Sequence, residues 1–115
     1  MKTSSAKQKG RLLQQLVVRK ILALFKQLTP DDVRSTGMGQ NGADVLLSAA
    51  AKQAFPFSVE CKSIARFAGY AYLEQATGNK GSDGLVPIAV VKGNRKHPLV
   101  LIGLDDFFKL LEHGN

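Results

Sequence analysis

The chain has 115 residues and one cysteine, which suits a single domain and excludes an internal disulfide or a zinc site built from several thiolates. Its 16 Lys and Arg residues outnumber 9 Asp and Glu residues, and the formal net charge of +7 favours a polyanionic partner such as nucleic acid. No apolar run reaches the roughly 20 residues that cross a bilayer, and the first ten residues lack the apolar block of a signal peptide, so we expect a soluble, cytoplasmic protein with no membrane partner.

The N-terminal part of the chain predicts an arm followed by a long helix. Residues 1–7 are polar and basic without apolar periodicity, which indicates a flexible basic arm ahead of a single domain at 8–115. From about Gln8 to Leu28 the apolar residues recur at steps of three and four, which predicts an amphipathic helix. The segment Pro30-Asp31-Asp32 follows the end of this helix and is typical of a turn.

The middle of the chain predicts strands joined by short connections. The glycine-rich stretch Gly37–Gly42 favours a hairpin turn, and Ala49–Ala54 is a short helical or looped connection. The three strands are predicted at Asp32–Thr36, Ala43–Ser48 and Phe57–Ser63.

The C-terminal half predicts a helix, a second pair of strands and a closing helix. These elements are placed at Ala65–Thr77, Val86–Lys92, Leu99–Ile102 and Asp105–Glu112. The predicted fold class is therefore α/β, a single domain with a mixed central sheet of about five strands flanked by helices, in the order αβββαββα.

Two acidic residues and one lysine in neighbouring predicted strands form a candidate site. Because side chains alternate along a strand, Glu60 and Lys62 project from the same face. Asp44 opens the preceding strand, and hairpin-like pairing of Ala43–Ser48 with Phe57–Lys62 would bring its carboxylate close to the glutamate. Carboxylate oxygens suit Mg²⁺ or Mn²⁺, and such an ion would activate water for attack on a phosphodiester while the lysine assists.

These residues belong to short segments spread in order over nearly the whole chain. The segments are Lys9-Gly10-Arg11, Arg34-Ser35-Thr36-Gly37, Gly42-Ala43-Asp44-Val45-Leu46 and Val59-Glu60-Cys61-Lys62. With them the sequence resembles the PD-(D/E)XK nuclease superfamily, and within it the small Holliday junction resolvases and phage-encoded endonucleases. The resemblance implies a restriction-endonuclease-like fold and cleavage of branched or duplex DNA with Mg²⁺, for which Mn²⁺ would substitute.

The resemblance also implies a role for each site residue. Asp44, Glu60 and the backbone carbonyl of Cys61 would be metal ligands. Lys62 would be the catalytic lysine, and Gln75, on the helix after the lysine strand, would hold the substrate phosphate or the attacking water. Junction-resolving enzymes of this superfamily make two symmetric cuts, so a homodimer is implied as well.

The sequence departs from the family pattern at two places. Gln14 and Gln15 stand in the region of the first helix where the family commonly has a glutamate, which leaves open whether one or two metal ions bind. Ala43 rather than proline precedes Asp44, while the literal Pro30-Asp31-Asp32 is interpreted as a turn. A catalytically silent nucleic-acid-binding domain on the same fold is therefore the alternative.

Basic residues cluster at the start of the first helix and in the connection between the last two strands, where they suit contact with phosphates. The resemblance places an arginine and a serine before the glycine-rich turn beside the scissile phosphate. The other interpretation is an ordinary solvated surface for the basic clusters and an ordinary strand pair for the arginine and serine. The candidate nucleic-acid-binding residues are Lys9, Arg11, Arg34, Ser35, Lys92, Arg95 and Lys96.

Overall fold

Helices and strands alternate along the chain in the order αββαβαββα. The structure, a computed structural model, describes residues 2–37 and 42–113. Its helices are α1 (Lys2–Leu24), α2 (Ala49–Ala54), α3 (Gly69–Asn79) and α4 (Leu104–His113). Its strands are β1 (Val33–Ser35), β2 (Val45–Leu47), β3 (Phe57–Ile64), β4 (Val86–Gly93) and β5 (Leu99–Ile102).

The strands form two sheets. Strands β1 and β2 pair antiparallel as a short hairpin, whose predicted turn lies largely outside the described residues at 38–41. The second sheet has the order β3-β4-β5, with β3 parallel to β4 and β4 antiparallel to β5. The α/β class and the mixed sheet are confirmed, but the prediction of one central sheet of about five strands is wrong, because β2 pairs with β1 alone.

Helices cover both faces of the three-stranded sheet. On one face Leu13 and Ile21 of α1 pack against Val59, Cys61 and Val90 in the main apolar core. The opposite face lies against α3, which contacts β3 and β4. Buried small or branched residues line that second contact: Ala76, Ala89 and Val91. Residues alternate between the two faces along β3, as the strand's pleat requires.

The helix boundaries correct four details of the prediction. Helix α1 begins at Lys2, so residues 2–7 continue the helix instead of forming an arm, and Ala6 and the two lysines there favour helix. It ends at Leu24, before the predicted Leu28. Residues 65–68 precede α3 rather than belonging to it, and α2 adds a helix that the order αβββαββα omits. No helix among the described residues is long and apolar enough to cross a membrane.

The turn after α1 is organised by Asp32. Its Oδ2 accepts a hydrogen bond from the Thr29 backbone N–H at 2.8 Å, and its Oδ1 accepts one from the Ser48 hydroxyl at 2.7 Å. The Ser48 oxygen in turn accepts from the Ala51 N–H at 3.1 Å and caps α2. The Thr29 N–H bond, followed by the Ser48 bond, lowers the pKa of Asp32. The predicted turn at Pro30-Asp31-Asp32 is confirmed.

Candidate active site

Strand β3 presents the glutamate and the lysine on the face covered by α3. Glu60 is only 4 % exposed, and the Lys62 Nζ lies 3.6 Å from the Glu60 Oε2. Their neighbours Val59 and Cys61 point the other way, into the core under α1. The predicted common face of Glu60 and Lys62 is confirmed.

Asp44 lies against the edge of β3 that does not pair with β4. Its backbone N–H donates to the Val59 carbonyl at 2.8 Å, and its Oδ2 accepts from the Cys61 N–H at 2.8 Å. The Thr36 N–H donates to the Asp44 carbonyl at 3.0 Å and holds the residue from the β1 side. The expected pairing of Ala43–Ser48 with β3 as a strand is wrong, because β2 pairs with β1 and the hydrogen bonds to β3 come from Asp44. Asp44 nevertheless reaches the strand that carries Glu60.

The surroundings of both carboxylates disfavour their ionised forms. Burial, opposed by the Cys61 N–H bond and the Lys62 charge, raises the pKa of Asp44. Burial and the negative charge of Asp44 raise the pKa of Glu60, against hydrogen bonding from Asn79 and the charge of Lys62. Burial and then the same two carboxylates raise the pKa of the Cys61 thiol to about 12, so this sulfur stays protonated. The site therefore concentrates negative charge that only Lys62 partly offsets.

Asn79, in the last turn of α3, is a site residue that the sequence analysis missed. Its Nδ2 donates to the Glu60 Oε1 at 3.2 Å and fixes the carboxylate from the helix side. The predicted helix ended at Thr77, so Asn79 fell outside it, whereas α3 continues to Asn79. The signal that could have identified it is its spacing: Asn79 follows Gln75 by four residues, so the two amides share one face of α3.

The three glutamines named in the sequence analysis, Gln75, Gln14 and Gln15, are less directly connected to the site than Asn79. Gln75 is exposed, and within residues 42–113 no hydrogen bond joins it to Asp44, Glu60 or Lys62. Its supporting role stays a prediction. Gln14 is buried and Gln15 is exposed on α1. Because α1 lies on the sheet face opposite α3, it borders the core side of β3.

The donor atoms at the β3 edge fit a divalent cation that keeps part of its water shell. Asp44 and Glu60 supply two carboxylates, and no cluster of three or more His, Cys, Asp or Glu side chains forms in the described part of the chain. The N–H and C=O of a strand residue point to the same edge, so the Cys61 carbonyl lies on the Asp44 side. Mg²⁺ commonly takes one or two carboxylates together with water and substrate oxygens, so this set suits one ion better than two.

The predicted nucleic-acid-binding residues fall into three places. Arg34 is exposed on β1 and Ser35 pairs with Val45, next to Asp44. Lys9 and Lys92 come together in one groove on the α1 face. The others are exposed on α1 and on the β4–β5 turn: Arg11, Arg95 and Lys96.

The arrangement combines two carboxylates of raised pKa, one ammonium and one amide at the edge of a strand. Groups of this kind can hold a cation, bind a phosphate and move a proton. Comparison of the chain with protein-family models, with curated proteins and with solved structures gives no match.

Proposed function

We propose that the protein is a Mg²⁺-dependent endodeoxyribonuclease that hydrolyses phosphodiester bonds of DNA. The observation that carries this proposal is the meeting of Asp44, Glu60 and Lys62 at β3, where Lys62 Nζ and Glu60 Oε2 are 3.6 Å apart and Asp44 bonds the intervening Cys61 N–H. Burial and the neighbouring Asp44 charge raise the pKa of Glu60, and a bound cation would offset that unfavourable concentration of negative charge.

Each group has a defined task in this proposal. Asp44, Glu60 and the Cys61 carbonyl would hold Mg²⁺, which supplies positive charge that acidifies water and offsets charge on the phosphate. Lys62 orients the attacking water and stabilises the charge that develops on the phosphate oxygens. Asn79 keeps the Glu60 carboxylate in place through its Nδ2–H bond, so the glutamate does not turn toward Lys62 alone.

The net charge of +7 supports a polyanionic substrate. The resemblance to small Holliday junction resolvases extends the proposal to branched DNA cut by a homodimer, since two symmetric cuts need two sites. Mn²⁺ would substitute for Mg²⁺, because both accept oxygen ligands in octahedral geometry.

A second candidate is a nucleic-acid-binding domain without catalysis. It is favoured by one observation: the Asp44 carboxylate already accepts the Cys61 N–H at 2.8 Å and therefore also serves to close the edge of β3. Gln14, neutral and buried on α1, adds no acidic ligand. This candidate predicts DNA binding that is independent of Mg²⁺ and unaccompanied by cleavage.

Cleavage of defined DNA substrates by matched variants separates the two candidates. The wild type is incubated with four-way junction, linear duplex, supercoiled and single-stranded DNA in Mg²⁺, Mn²⁺ or EDTA. Asp44→Asn keeps an oxygen for the Cys61 N–H but removes the charge, and Lys62→Ala removes the ammonium. We expect each variant to cleave at least about 100-fold more slowly than the wild type.

Lys52→Ala is the matched control, because Lys52 lies on α2 and its partner is Asp83, in the connection between α3 and β4. It should cleave at the wild-type rate. Circular dichroism and thermal unfolding verify that all variants are folded. Metal-dependent cleavage that survives both Asp44→Asn and Lys62→Ala would show that the activity comes from other residues, and wild-type binding without any cleavage would support the second candidate.

A further inference from the structure

A groove on the α1 face of the sheet joins basic residues from distant parts of the chain. It measures about 310 Å³ and lies between α1 and the C-terminal ends of β3 and β4. Lys9 and Arg19 line it from α1, Lys92 lines it from β4, and Leu12, Leu13 and Leu16 are its apolar lining. None of the described residues that line it is acidic. Three cations beside an apolar surface attract an anion more strongly than the same charges dispersed in water.

One hydrogen bond holds the two walls of the groove together. The Lys9 Nζ donates to the Asn94 Oδ1 at 3.0 Å and so links α1 to the β4–β5 turn. Lys92, half-buried, directs its Nζ to the Gly93 carbonyl at 3.3 Å. A cation that is already oriented loses less side-chain freedom when an anion binds. The groove is therefore prepared for an anion before that anion arrives.

The groove and the candidate active site lie at the same end of β3 on opposite faces. Ser63 lines the groove, while its neighbour Lys62 projects to the α3 face beside Glu60. The register supports this division, because Ser63 pairs with Lys92 and Lys62 pairs with the buried Val91. One polyanion that crosses the end of the strand can contact both places.

We infer that this groove binds a backbone phosphate of DNA away from the scissile bond, with Arg19, Lys92 and Lys9 as its ligands. The inference rests on the proposed function for the identity of the polyanion. A phosphate contact of this kind carries no sequence information and fixes the register of the duplex on the protein. Arg19 suits the task best, since its guanidinium can bond two phosphate oxygens at once.

Salt-dependent binding in EDTA tests the groove without requiring cleavage. Fluorescence anisotropy measures the Kd of labelled four-way junction and of linear duplex at several NaCl concentrations for the wild type and for Arg19→Ala, Lys92→Ala and the double variant. A plot of log K against log salt concentration has a negative slope, and each lost phosphate contact should make that slope shallower by about 0.9. Each lost contact should also weaken binding about five- to tenfold near 0.1 M salt. Lys92→Arg should restore the slope.

Lys26→Ala, an exposed lysine outside the groove, is the matched control and should leave the slope unchanged. In the cleavage assay the groove variants should raise KM and leave kcat within about twofold, whereas Lys62→Ala lowers kcat. Folded double variants that keep the wild-type slope and Kd would overturn the inference, even if the protein cleaves DNA. Absence of cleavage with a reduced slope would instead overturn the nuclease proposal and leave the groove standing.

Discussion

The two faces of the β3-β4-β5 sheet are built on different principles. Toward α1 the sheet buries branched apolar side chains such as Val59 and Val90 against the leucines and isoleucine of the long helix. Toward α3 it buries Ala89 and Val91 beside Ala76, and Glu60 shares that face at 4 % exposure. The buried residues on this face are therefore smaller than those toward α1, and a carboxylate is buried among them.

The difference indicates that one face of the sheet stabilises the fold and the other carries the candidate site. The α1 face contributes most of the hydrophobic free energy that holds the fold, because the main cluster of buried apolar side chains lies there. The α3 face keeps a charged group in a place that raises its pKa, which opposes folding when the group is ionised. A functional site commonly carries such a cost in stability.

Among the residues of helix α3, the largest expected effect on cleavage concerns Asn79. Asn79→Ala removes the donor that holds the Glu60 Oε1 at 3.2 Å, and we expect cleavage to fall about 10- to 100-fold at low Mg²⁺. Because the residue positions a ligand, raising the Mg²⁺ concentration should recover part of the rate. Initial rates measured over a Mg²⁺ titration test this.

Gln75→Ala provides the comparison on the same helix face. A smaller loss for Gln75→Ala than for Asn79→Ala, with no change in the Mg²⁺ requirement, would agree with the geometry. If Gln75→Ala shifts the Mg²⁺ requirement and Asn79→Ala does not, the exposed glutamine, not the asparagine, supports the site.

Replacement of Glu60 is expected to have an effect of intermediate size, on the free energy of unfolding. Glu60→Gln keeps an oxygen for Asn79 but removes the buried charge, so in EDTA at pH 8 its free energy of unfolding should exceed that of the wild type by on the order of 1 kcal/mol. Urea denaturation at several pH values measures this difference. Cleavage by the variant should be lost, since a proposed metal ligand is neutral.

The sign of the pH dependence follows from the raised pKa. The unfolded chain ionises near the ordinary value of 4.5, below the folded protein, so the favourable contribution of protonated Glu60 is complete below that value and is lost as pH rises through the folded pKa. The advantage of Glu60→Gln should therefore vanish toward pH 4. Mg²⁺ should stabilise the wild type more than the variant, and an equal Mg²⁺ effect on both would contradict the assignment of Glu60 as a ligand.

The sequence predicted those parts of the fold that depend on local patterns. The apolar periodicity of α1, the alternation in β3 and the turn chemistry of Asp32 are each determined within a few residues, and each is confirmed apart from the element ends. The common face of Glu60 and Lys62 follows from the strand period alone. Such features do not need knowledge of what packs against them.

Features that depend on distant pairing were not predictable in the same way. Whether β2 extends one five-stranded sheet or pairs only with β1 is decided by contacts between elements. The same contacts decide that Asp44 reaches β3 through its own N–H and carboxylate and not through the strand pairing expected for Ala43–Ser48. The link between Asn79 and Glu60 depends on the position of α3 over the sheet, and the link between Lys9 and Asn94 joins residues 85 positions apart. Spacing on α3 can mark Asn79 as a candidate, but a local pattern does not specify which distant residue it contacts.

The smallest expected effect lies at the β4–β5 turn, beside the groove on the α1 face. Arg95 has a φ of 61°, a left-handed conformation that costs a non-glycine residue roughly 1–2 kcal/mol, part of which glycine's greater unfolded entropy would offset. Arg95→Gly should therefore raise the free energy of unfolding by on the order of 0.5 kcal/mol, whereas Arg95→Ala should leave it unchanged.

Both Arg95 variants remove the same charge, so their affinities for DNA should fall together if Arg95 contacts phosphate as predicted. Urea denaturation and anisotropy titrations on the same preparations measure the two quantities. One outcome is that Arg95→Gly has the higher free energy of unfolding while both variants lose the same affinity for DNA. This outcome would show that the turn keeps a strained arginine for binding. Equal stability of Arg95→Gly and Arg95→Ala would show that the left-handed backbone carries no cost, and unchanged affinity would remove Arg95 from the DNA-contacting surface.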